Sequence, residues 1–313
     1  MAGSLDVGGG LVSGGEVQRR TIRPDVVARP PAPELLLMLL AVGAASTAGP
    51  LTAAAAAPAL AVAFWRNALG AAATAPVALG RTRPELAGLS RGQLLLMLAA
   101  GVLLAAHFGT WMASLAFTTV ASAIAMTATQ PVWAALIARV RGERLPPRAW
   151  LGIGVAVSGV LTVTGIDVAV SASSLGGDLL ALAGGVFGAA YVTAGGEIRG
   201  GVSTTSYTLI CYGAAATVLL GVCLATGQQL TGFSAGTWLM IAAITAGPQL
   251  LGHSLFNRAL RTTSPTVVSL ATLFITPGAA VIAWAWLGQT PPSTIIPAIA
   301  LLLGGVALVL TSR

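Results

Sequence analysis

HFGTWMASLAFTTVASAIAMTATQPVWAALIARVRGERLP at residues 107–146 and HSLFNRALRTTSPTVVSLATLFITPGAAVIAWAWLGQTPP at residues 253–292 are the two stretches that decide the fold. At a constant offset of 146 positions His107 meets His253, Pro131 meets Pro277, Gly142 meets Gly288 and Pro146 meets Pro292. Upstream, the same offset pairs Leu36 with Leu182 and Gly49 with Gly195. A register held over this length is the signature of an internal repeat. Each unit is apolar enough that its solvent must be identified first.

Of the 313 residues 56% are hydrophobic and 8% charged. Soluble domains carry about a quarter charged residues, so a chain this long has too few to clothe a water-facing surface. The sequence reads as an all-α membrane protein. Its 16 basic residues are all Arg and leave a net charge of +7. A nucleic-acid partner would need them on one face of a soluble fold, whereas here they separate apolar blocks. The two cysteines, Cys211 and Cys223, sit in one apolar block, and no disulfide framework, metal-ligand spacing, cofactor motif or catalytic set is present.

Crossing the hydrocarbon takes about 20 residues. Ten blocks of that length follow residue 34: 35–55, 60–80, 94–115, 119–138, 149–166, 176–196, 204–225, 236–257, 266–287 and 293–311. Residues 1–33, rich in Gly, Pro and Arg, read as a disordered cytoplasmic tail. With these spans, every Arg except Arg66 falls in the tail, in connections on one side (Arg81, Arg83, Arg91, Arg139, Arg141, Arg144, Arg148, Arg199, Arg258 and Arg261) or at Arg313. By the positive-inside rule that side is the cytoplasm, and both termini lie there. Five spans per unit is an odd number, so the second unit (175–311) enters the membrane from the face opposite to the first (34–166). Two inverted five-helix repeats are the plan of secondary transporters, with a substrate site at mid-depth. The all-Arg, Ala-rich usage points to a bacterial plasma membrane.

The stretches PALAVAFWRNALGAAATAPVAL (58–79), 107–145 and TSPTVVSLATLFITPGAAVIAWAWLGQ (263–289) resemble the EamA family of the drug/metabolite transporter superfamily. The shared features are an Arg in the second span, hydroxyl pairs at Thr118-Thr119 and Thr263-Ser264, a mid-span proline, and Gly-Glu at the span's end. The second copy departs from the last of these, reading Gly288-Gln289. The resemblance implies a ten-helix carrier that exports amino acids or related small metabolites. A multidrug efflux carrier and, further off, a non-transport membrane scaffold are the alternatives. A membrane-embedded enzyme would need clustered acids, and Glu34, Glu85, Glu143 and Glu197 are scattered.

Polar side chains inside spans mark the candidate site, because each is costly in hydrocarbon unless it meets a cavity or a partner. Helical spacing puts His107, Trp111, Ser114 and Thr118 on one face, and Ser122, Met126, Thr129 and Trp133 on another with Gln130 beside them. The repeat mates present Thr245, Gln249, His253 and Asn257, and Ser269, Thr272 and Thr276. These faces are expected to line one cavity, with Trp111 and Trp133 as an aromatic wall; the competing reading is helix-to-helix packing. Pro131 and Pro277 free the carbonyls of Thr127 and Leu273, and such paired mid-depth interruptions point to a carrier's binding region or to packing kinks. His107 and His253 are the intramembrane groups that could carry protons if coupling uses them, or could tie helices together. Arg66 would clamp a substrate carboxylate, or snorkel outward as a structural brace. The small molecule carried and the lipid bilayer are the partners expected; no Asp or Glu lies deep in a span, and nothing in these patterns encodes an oligomeric state.

Overall fold

The structure is a computed structural model that describes residues 30–114, 116–118, 123, 126–164, 172–288, 293 and 295–312. The expected tail up to residue 29, Thr119, Ser122, Gln289, Pro292 and Arg313 lie outside them. Every regular element among the described residues is helical. The first half contains α1 (Ala32–Ser46), α2 (Ala48–Ala54), α3 (Ala59–Arg81), α4 (Arg83–Ala87), α5 (Arg91–Ser114), α6 (Gln130–Val140) and α7 (Pro147–Thr164). The second contains α8 (Ala172–Arg199), α9 (Thr204–Ala225), α10 (Ala235–Ile244), a π-helical stretch Thr245–His253, α11 (Ser254–Ala259), α12 (Pro265–Thr272), α13 (Ile275–Leu287) and α14 (Ile295–Thr311).

Six helices among the described residues are long and apolar enough to cross a membrane: Ala32–Thr52, Arg91–Ser114, Leu175–Arg199, Thr204–Ala225, Ala235–Ala259 and Pro265–Trp286. Shorter or more polar helices accompany them. Large apolar side chains such as Leu36, Leu39, Leu151, Trp284 and Ile296 face outward, as a protein solvated by lipid requires.

Local sequence sets the helix ends. Pro33 stands in the first turn of α1, where its missing N–H has no helical partner to lose, so the helix starts inside the expected tail. A reciprocal capping box opens α5: the Gln93 N–H donates to Ser90 Oγ at 3.2 Å and the Ser90 N–H to Gln93 Oε1 at 2.9 Å. Ser203, Ser234 and Ser264 cap α9, α10 and α12 through their hydroxyls.

The two halves interlock. α5 lies along α8, α9 packs on α3 and α5, and α1 packs on the π stretch. Together they enclose the larger core, around Met97, Leu104, Tyr207, Tyr212 and Ile241. A second core around Ile153, Val160, Leu270 and Leu302 joins α7 to α14. There a Cβ on Gly152 would lie 2.6 Å from the Gly305 carbonyl, so glycine lets the two backbones approach. One end of the bundle gathers polar groups: Arg141 pairs with Glu197, Glu85 accepts from the Ser203 N–H and hydroxyl at 2.9 Å each, and Arg199 donates to the Asn257 carbonyl at 2.9 Å.

Candidate functional site

Two breaks of the helical ladder shape the centre. The chain turns at 128–129, just before α6, and again at 273–274, just before α13. At the repeat offset of 146 these positions nearly coincide. Pro131 and Pro277 were expected inside continuous spans; instead the helix ends and restarts, which places Pro131 second in α6 and Pro277 third in α13. The physical reason is that a proline in a first turn lacks only an N–H that had no partner there. Of the two carbonyls this arrangement concerns, that of Leu273 accepts from the Thr276 N–H at 3.4 Å.

A cavity of about 200 Å³ opens between these breaks. Its wall includes Ala45 from α1, Arg66 from α3, His107, Phe108 and Trp111 from α5, Gln130 from α6, Gly188 and Tyr191 from α8, His253 from the π stretch, Asn257 from α11 and Thr276 from α13. Both halves therefore contribute. Eight sequence-predicted residues meet there: Arg66, His107, Trp111, Gln130, His253, Asn257, Thr272 and Thr276. Apolar surface dominates the rest, from Phe108, Phe256, Val268 and Leu273.

Trp133 does not line the cavity. The expectation assumed one helix from Ser122 to Trp133, but the turn at 128–129 breaks the register, and the indole N–H donates to Thr129 Oγ1 at 3.0 Å. Gln249 also stands behind the wall, fully buried at 0% exposure. Pro248 causes the displacement: lacking an N–H and crowding the carbonyl four residues back, it sits in an i→i+5 ladder that takes more residues per turn than the α-helix. The Thr245-Gln249-His253-Asn257 face therefore splits, with only the last two on the cavity. Asn257 is 1% exposed and accepts the Tyr191 hydroxyl at 2.8 Å.

The two histidines differ. His107 Nδ1 lies 2.8 Å from the Gly184 carbonyl and so donates to it, leaving Nε2 as the free nitrogen. His253 stands edge-on to the Phe108 ring at 5.4 Å and makes no hydrogen bond among the described residues.

Arg66 does not snorkel. It is 2% exposed, its Nε–H donates to Gln249 Oε1 at 2.7 Å, and its Cζ lies 4.3 Å from the Phe108 ring centroid. Gln249 Nε2 donates in turn to Asn67 Oδ1 at 2.9 Å, and Asn67 Nδ2 to the Ala63 carbonyl at 2.8 Å. Arg66 Nη2 is buried with no hydrogen-bond partner. An Arg at mid-membrane costs about 2.5–3.5 kcal/mol on insertion scales. A charged hydrogen bond and a desolvated cation–π contact recover a comparable amount, on the order of 2 kcal/mol each, but an orphaned buried donor still costs roughly 1–3 kcal/mol. No Asp or Glu among the described residues lines the cavity or pairs with this guanidinium.

Phe108, Tyr191, Phe256 and Asn67 were not singled out by sequence reasoning, which searched for polar faces on single helices. Phe108 adjoins His107, and Asn67 adjoins Arg66; that adjacency is the one signal that could have found them.

Among curated protein sequences none matches the chain. Solved structures do match, 29 chains in all. One, described only as "Crystal structure of protein", shares 19% identity at a TM-score of 0.75, covering 88% of this chain and 96% of that one; this likeness concerns the fold. The description "EamA-like transporter family" matches residues 32–165 and again 175–311. With both halves matched and the spans and breaks described above, the chain belongs to the EamA-like transporter family, membrane transporters of the drug/metabolite transporter superfamily.

Proposed function

We propose that this protein is a secondary transporter that exports amino acids or related zwitterionic and aromatic metabolites by alternating access. In this reading ten spans form two inverted five-helix repeats, 34–166 and 175–311, behind a cytoplasmic tail that ends where α1 begins at Ala32. Both termini face the cytoplasm of a bacterial cell, and the protein sits in its plasma membrane. The observation that carries the reading is the cavity of about 200 Å³ walled by both halves beside their paired helix breaks. Its size lies below the ~300–1,000 Å³ of drug-sized sites, which favours a small metabolite.

Alternating access needs a closure that can open. The Arg141–Glu197 pair ties the end of α6, in the first repeat, to the end of α8, in the second, on the polar end of the bundle. Rocking one repeat against the other would part these ends.

The test is flux. Purified protein in proteoliposomes is expected to exchange at least one labelled amino acid, and failure across a broad metabolite panel overturns the reading. Topology is checked separately with reporter tags at Gly80 and Gly227, which belong on opposite sides of the bilayer; exposure to one compartment would remove the inverted repeat.

A further inference from the structure

The guanidinium of Arg66 is oriented more completely than it is satisfied. Asn67 holds the Gln249 amide so that its oxygen faces Arg66 Nε, and Phe108 supports the guanidinium from one face. Nη2, which this arrangement fixes in place, is buried and without a hydrogen-bond partner, on a residue that lines the cavity. The protein thus holds a buried cation for which the described residues supply no counter-ion.

We propose that Arg66 is the anchor for a carboxylate on the transported molecule and that Gln249 is its positioning residue; this rests on the carrier reading above and names its substrate class. A planar two-donor edge matches a carboxylate's two oxygens. One guanidinium pairs with one carboxylate, whereas a phosphate monoester carries nearly two negative charges; the ammonium of an amino acid would rest on neutral acceptors of the wall such as Gln130 and Thr276. The apolar wall of Trp111, Phe108, Phe256, Val268 and Leu273 receives the hydrocarbon or aromatic body. A cationic amine without a carboxylate finds Arg66 repelling it and no acid among the described residues of the wall.

The probes are the natural amino acids and their primary amides, which keep the side chain and remove the carboxylate charge, each tested for a melting-temperature shift of the purified full-length protein. At least one amino acid is expected to stabilise the wild type while its amide does not. Arg66→Gln should weaken that amino acid by about 30-fold or more, the scale on which loss of one partner of a buried charge pair is felt. Arg66→Lys, which keeps the charge without the fork, should fall between. Gln249→Ala should lower affinity while the acid-over-amide preference persists. Gln249→Glu places a carboxylate where Gln249 Oε1 meets Nε, so it should raise the melting temperature of the ligand-free protein and abolish the amino-acid response; this variant decides the matter if Arg66→Gln fails to fold. Equal stabilisation by acid and amide, no stabilisation by any amino acid, or an unchanged response in Gln249→Glu overturns the proposal. Acid-selective binding without flux would overturn the carrier reading alone; flux that ignores the carboxylate would overturn the anchor alone.

Discussion

The helix at 91–114 and its repeat mate at 235–259 carry histidine at equivalent positions, yet one is an unbroken α-helix and the other passes through nine residues of π-helix. The unbroken member ties His107 to the Gly184 carbonyl, while the widened member leaves His253 without a hydrogen bond among the described residues and draws Gln249 behind the wall to Arg66. Internal repetition thus supplies two similar scaffolds, and one proline, Pro248, makes them unequal. The difference puts a fixed ring on one side of the cavity and a free ring on the other.

The comparison can be broken most forcefully at a pair of glycines. A Cβ on Gly101 would lie 2.6 Å from both the Cys211 carbonyl and Ala214 Cβ, whereas its mate Gly247 would meet only Thr47 Oγ1, at 3.5 Å. Gly101→Ala is expected to destabilise by about 1–3 kcal/mol through overpacking, and Gly247→Ala to be neutral or to stabilise by up to ~1 kcal/mol. Unfolding in detergent measures both, and equal costs would erase the asymmetry. Next come the histidines. His107→Ala should cost roughly 1 kcal/mol more than His253→Ala, the worth of its hydrogen bond. In proteoliposome flux under imposed pH gradients, His107→Gln is expected to flatten the pH profile more than His253→Gln, because His107 can take a proton on its free Nε2 while its Nδ1–H stays bonded to the Gly184 carbonyl, whereas a protonated His253 would meet no acceptor among the described residues. The reverse result would assign proton coupling to the untethered ring.

The smallest effect concerns how each mate begins. The connection before α5 contains α4 with Glu85, which clasps Ser203; the connection before α10 has neither a helix nor an acid. Burial pushes the Glu85 carboxyl up, but the Ser206 and Ser203 hydrogen bonds and the charge of Arg199 together hold it below the usual carboxylate range. A lowered folded value means that its stabilisation is present above the unfolded value near 4.5 and is lost as the pH falls through the folded one. Glu85→Gln should therefore remove part of the acid-induced loss of stability, by under about 1 kcal/mol once water screening is allowed for.

Much of this architecture was legible in the chain. Apolar blocks located the long helices, the constant offset exposed the repeat, and Pro131 and Pro277 marked the two breaks. The side-chain reading fared less evenly, because it assumed α-helical register throughout. Trp133 was lost to the turn at 128–129, and Gln249 to the π ladder. Arg66 was read as free to snorkel because its partner lies 183 positions away. That distance is invisible to local periodicity.

Gly188 sets the gauge of the chamber. A methyl group there would come within 2.8 Å of Gln130 Oε1 and 2.9 Å of His107 Nδ1, both on the wall. A single added carbon would thus narrow the passage from the α8 side while leaving Arg66 and its supports untouched. Under the proposed anchor, a side chain at position 188 would favour compact cargo over bulky cargo while leaving the guanidinium in place.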